Sequence, residues 1–87
     1  MSGKAYVPDK MEVLAWVMDS EDPRVREYRV KVYLSLCEED GWKKTALMLV
    51  NDGFDVKQMI QYAIFGASWQ DIKDMVDQVI SKKFKGV

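Results

Sequence analysis

The stretch GWKKTALMLVNDGFDVKQMIQYAIFGASWQDIKDMVDQVISKKF, Gly41–Phe84, decides the fold. Three times in it a glycine precedes a large aromatic: Gly41-Trp42, Gly53-Phe54, and, after two small residues, Gly66-Ala67-Ser68-Trp69. Glycine ends helices because it enters the left-handed region without steric cost, and an apolar residue just beyond commonly packs back on the last turn. The stretch therefore divides into three helices, expected over 42–52, 55–65 and 68–84. The first of them carries Trp42, Ala46, Leu49 and Val50 on one face and reads as the central, most buried element. The next, capped by Asp55, is expected to bury Val56, Met59, Ile60, Ala63 and Ile64. The last opens on Ser68 with Asp71 three residues on, a variant capping box. Its stripe is Trp69, Ile72, Met75, Val76, Val79, Ile80 and Phe84. Asp71, Asp74 and Asp77 come early in it and Lys82, Lys83 and Lys85 late, the order that the helix dipole favours.

Towards the N-terminus, Asp22-Pro23 is an N-cap followed by proline at the first helical position, and the helix it opens is expected to run over 23–40. Within it Tyr28–Leu36 alternates like a strand. On a helical wheel, however, Val25, Tyr28, Val32 and Leu36 form one stripe while Glu27, Lys31, Ser35 and Glu38 gather opposite. No second alternating run exists to pair with a strand, and a lone strand leaves its backbone groups unsatisfied. Helix is the reading. The alternative is a strand paired with the same segment of a second chain. Asp9 caps a first helix over 10–18, preceded by a flexible arm, 1–8. This helix is apolar on two sides. Met11, Leu14, Ala15 and Met18 are expected to face the core, which leaves Val13, Trp16 and Val17 to bind a partner.

These helices make a single all-α domain, a compact bundle spanning 1–87. With 48% apolar and 11% aromatic residues in 87, a small core is affordable and disorder is disfavoured. The net charge of -1 provides no general attraction for nucleic acid or anionic lipid. No apolar run approaches the ~18 residues that a membrane span needs. Histidine is absent and Cys37 is the only cysteine, so one chain can build no Ser-His or Cys-His couple and no zinc cluster. No enzyme activity, cofactor or metal is expected, and a lone thiol suits the cytoplasm.

Two functions remain. The first is a protein-interaction module, a small regulator or inhibitor acting on a partner protein or by self-association; small acidic proteins of this kind occur among phage and plasmid regulators. The second is a dimeric nucleic-acid-binding regulator of helix-turn-helix type. It would use the anion-binding candidates Arg24, Arg26, Arg29 and Lys31, or the late lysines Lys82, Lys83 and Lys85. GASWQDI (Gly66–Ile72) resembles the turn entry of some bacterial response-regulator DNA-binding domains, but Tyr62 stands where that motif has a small residue. Gly53-Phe54 resembles the Met-Gly-Phe loop of ubiquitin-associated domains, with Asp52 in place of the recognition methionine.

Overall fold

A computed structural model describes residues 7–84. They form five helices in the order α1 Lys10–Met18, α2 Pro23–Leu36, α3 Gly41–Asn51, α4 Val56–Phe65 and α5 Trp69–Lys83. Most of the expected arm, together with Lys85, lies outside the described residues. The all-α reading holds, and Tyr28–Leu36 is helical.

Four of the five helices start where a short polar side chain occupies the free amide groups of the first turn. Asp9 accepts from the Met11 amide at 3.1 Å, Asp22 from Arg24 at 2.9 Å and Asp55 from Lys57 at 2.9 Å. Ser68 accepts from the Asp71 amide at 3.1 Å while the Asp71 carboxylate accepts from the Ser68 amide at 2.9 Å, which completes the capping box. The end of α3 is a Schellman motif: the Phe54 amide donates to the Leu49 carbonyl at 2.9 Å and that of Gly53 to Val50 at 3.1 Å. Gly53 supplies the positive φ of 118°, and Phe54 turns back into the core.

The α2–α3 junction departs from expectation. Helix α2 ends at Leu36 rather than at residue 40, and the left-handed residue is Asp40 (φ 57°), not a glycine. Gly41 is needed for a different reason. It opens α3 against the end of α2, where a Cβ would stand 2.7 Å from the Ser35 carbonyl oxygen. The close approach also lets the Thr45 hydroxyl, fully buried, donate to Ser35 Oγ at 2.9 Å.

The core draws most of its side chains from α2 and α5. Helix α5 buries Ile72, Met75, Val76, Val79 and Ile80, and α2 contributes Val25, Tyr28, Val32 and Leu36. Leu49, Phe54 and Met59 close it. Helix α3 does meet α2, α4 and α5, as a central element should, but it is not the most buried: it buries only Gly41, Thr45 and Leu49, with Trp42, Ala46 and Val50 half-covered. Helix α4 is more exposed than its pattern predicts. Of its five expected core residues only Met59 is fully buried, while Val56, Ile60 and Ile64 face solvent.

Candidate functional site

Helix α1 is where sequence and structure part most. The face expected to bind a partner, Val13, Trp16 and Val17, is buried, at 5%, 8% and 9% exposure. The stripe expected to enter the core, Met11, Leu14 and Met18, is exposed at 70%, 54% and 57%. Both faces are apolar, so periodicity alone could not rank them. Tryptophan decides the choice, because an indole removes more apolar surface from water than any residue of the other stripe.

What holds α1 in this orientation is Arg29 of α2. Its guanidinium donates to the Trp16 carbonyl at 2.6 Å and to Asp77 of α5 at 3.3 Å, and lies 5.2 Å from the Trp16 ring centre. One side chain thereby ties three helices together. The Trp16 carbonyl belongs to the last turn of α1 and also accepts from the Asp19 amide at 3.2 Å, so the arginine is a second donor to a helix-end carbonyl and reinforces the C-terminal cap. The indole of Trp16 meets that of Trp69 edge-on, with ring centres 4.8 Å apart. Lys73 lies over the other tryptophan, 5.6 Å from its centre.

Beside this pair opens a cleft of about 620 Å³ between α1 and α5. Trp16 and Trp69 line it together with Arg29, Lys73 and Asp77, and Glu12, Ala15 and Asp19 of α1 form its near rim. Glu12 and Asp19 are seven residues apart, two helical turns, and so lie on one side of α1 about 10 Å from each other. Ala15 stands between them and the exposed Met11–Leu14–Met18 ridge. The ridge and the cleft are therefore continuous.

The basic residues scatter. Arg26 turns back to the Ser20 carbonyl, and the fork of Arg24 is held by Asp22 at 2.8 and 3.2 Å. That contact raises the Arg24 pKa and lowers that of Asp22. Lys82 donates to the Gly53 carbonyl at 3.1 Å and Lys83 to Asp52 at 3.1 Å. Arg24, Lys31 and Lys83 nevertheless come together, with Glu27, around a hollow of about 180 Å³ floored by Tyr28 and Phe84. This is a meeting of α2 with the end of α5 that no local pattern announces. Asp52 also accepts from the Tyr28 hydroxyl at 2.7 Å. Burial, reinforced by that bond to a carboxylate, pushes the Tyr28 pKa well above its ordinary value. The hollow is basic at its rim, but two of its three cations already have carboxylate partners.

The acidic triplet of α5 serves three separate ends. Asp71 completes the cap, Asp74 accepts from Gln70 at 3.0 Å, and Asp77 meets Arg29. Among the described residues no three His, Cys, Asp or Glu side chains converge as a metal site, and no helix is long and apolar enough to cross a membrane. No family model, curated protein or solved structure matches the chain, so its function is read from its own geometry.

Proposed function

We propose that the chain is a non-catalytic protein-interaction module, a small cytoplasmic regulator or inhibitor, and that it docks a protein partner through the outer face of α1. The observation that supports this reading is the two-sided apolar character of that helix. One side is used by the core, yet the opposite side keeps Met11, Leu14 and Met18 in water. A large apolar side chain gains about 1.5–3 kcal/mol on burial, so a contiguous row of three is a standing opportunity for association. Methionine suits an adaptable contact, since its flexible thioether repacks against varied surfaces.

The α4 stripe supports a second docking face. Val56, Ile60 and Ile64 are 54%, 53% and 58% exposed, and Phe65 beside them is 83% exposed. Self-association through this stripe is the companion reading. Nucleic-acid binding has less support, because Arg24, Arg26 and Arg29 direct their donors to groups within the chain.

Leu14→Glu and Ile60→Glu separate the two faces. Capture of a partner from the native host, followed by mass spectrometry, should lose that partner with Leu14→Glu and retain it with Ile60→Glu. Light scattering should show any dimer falling apart with Ile60→Glu. Capture unaffected by Leu14→Glu would remove the α1 reading.

A further inference from the structure

The partner's chemistry follows from the charge around α1, granted that α1 is the docking face. From Asp9 to Asp22 the chain carries Asp9, Glu12, Asp19, Glu21 and Asp22 against the single base Lys10, five acids to one. Asp22 is held by Arg24, and Asp9 caps the helix. Glu12, Asp19 and Glu21 remain, all exposed and none with an ion-pair partner among the described residues; of the three, Glu12 and Asp19 line the cleft. They stand on the cleft side of the apolar ridge, above the tryptophan pair. Across the cleft Asp77 is met by Arg29, which leaves Lys73, seated over Trp69, as the one cation there without a carboxylate partner among the described residues. The α4 stripe has no such rim, since it is flanked by Asp55, Lys57, Gln58 and Gln61.

We propose that the outer face of α1 and the tryptophan cleft together receive a basic amphipathic helix of a partner protein. The helix lays its apolar side on Met11, Leu14 and Met18. A lysine or arginine reaches past Ala15 to lie between Glu12 and Asp19 at the cleft mouth. This is helix-in-groove recognition: the ridge supplies the apolar contact, and the two carboxylates, about 10 Å apart, select for positive charge and set the helix direction. A neutral amphipathic helix lacks the second contribution and an acidic one is repelled.

The test uses the full chain and three synthetic amphipathic helices of about 18 residues with the same leucine face. Their polar face is lysine in one, glutamine in the second and glutamate in the third. Calorimetry reads binding, and the emission of Trp16 and Trp69 in a Trp42→Phe background reports the cleft. The lysine peptide should bind, the glutamine peptide distinctly more weakly and the glutamate peptide not measurably. Glu12→Gln with Asp19→Asn should weaken the lysine peptide about tenfold, each rim contact contributing at the level usual for exposed charges. Glu38→Gln with Glu39→Gln removes the same charge from the turn between α2 and α3 and should leave binding within twofold.

Equal weakening by both double variants would reduce the effect to overall charge and overturn the proposal, as would equal binding of all three peptides. Native-partner capture distinguishes this failure from that of the docking reading. A partner lost with Leu14→Glu but kept with the Glu12/Asp19 pair leaves α1 as the docking face and removes only the basic occupant. A partner kept by both removes both. All four acids are exposed, so unchanged helical circular dichroism is expected throughout.

Discussion

The guanidinium of Arg29 donates to the main-chain carbonyl of Trp16 at 2.6 Å and at the same time lies 5.2 Å from the centre of that residue's indole. A buried cation is costly unless it is solvated by protein groups. Here a helix-end carbonyl, an aromatic face and the carboxylate of Asp77 provide that solvation, while Nε stays buried without a partner. The contact fixes which side of α1 faces inwards, and so which side is offered outwards.

Arg29→Met should therefore loosen α1 more than it disturbs the rest of the bundle. A loss of about 2–4 kcal/mol in urea unfolding is expected, with a weakened near-ultraviolet signal from the Trp16–Trp69 pair and little change in helix content. Arg29→Lys should recover little of this, since a single ammonium cannot reach the carbonyl and Asp77 as the planar fork does. Asp77→Ala should cost under about 1 kcal/mol, because its bond is long and its side chain is 60% exposed. An Asp77 effect as large as that of Arg29 would contradict this ranking.

Tyr28 predicts an alkaline limit. Its folded pKa is raised, chiefly by burial and then by the bond to Asp52, above the ~10 of an unfolded tyrosine. The neutral phenol thus contributes stability that is fully present below about pH 10 and is lost as pH rises beyond it, because the unfolded chain releases the proton first. Tyr28→Phe should lower the melting temperature near neutrality through the lost hydrogen bond, yet flatten its decline between about pH 10 and 11. Parallel decline of the two proteins would show that Tyr28 is not the group responsible.

Gly41→Ala should be among the most damaging single-atom additions in the chain. The new methyl would press on the Leu36 carbonyl and on the Ser35 carbonyl oxygen 2.7 Å away, and both contacting groups are backbone. A loss of about 2–3 kcal/mol in thermal or urea unfolding is expected from overpacking. Asp40→Gly should do the opposite and stabilise by up to about 1 kcal/mol, since glycine adopts the φ of 57° without Cβ strain. If Gly41→Ala proved neutral, the close α2–α3 approach would be wrong.

Neighbouring positions of α4 should respond oppositely. Met59, 5% exposed, should lose about 2–5 kcal/mol on change to alanine. Ile60, 53% exposed, should tolerate glutamate within about 0.5 kcal/mol. Denaturant unfolding of the two variants gives a direct comparison; a large loss with Ile60→Glu would place that residue in a core.

Much of the fold was legible because its signals are local. Asp9, Asp22, Asp55 and Ser68 act through amides two or three residues away, and the Gly53-Phe54 turn closes on its own helix. The end of α2 was misread because glycine signals both a helix stop and a close approach, and Gly41 serves the second purpose. The candidate site was hardly legible. Choosing between two apolar sides of α1 depends on Arg29, 13 positions from Trp16, and on Trp69 in another helix. The basic hollow escaped for the same reason, as Arg24 and Lys31 lie far along the chain from Lys83.

By itself, then, the sequence determined five helices and the side-chain N-caps of four of them. Tertiary structure alone decided which apolar stripes are spent in the core and which remain outside. A stripe's periodicity says only that a side of the helix is apolar. Its burial depends on the shape and charge of what stands opposite, and for α1 that is a buried arginine and a second tryptophan.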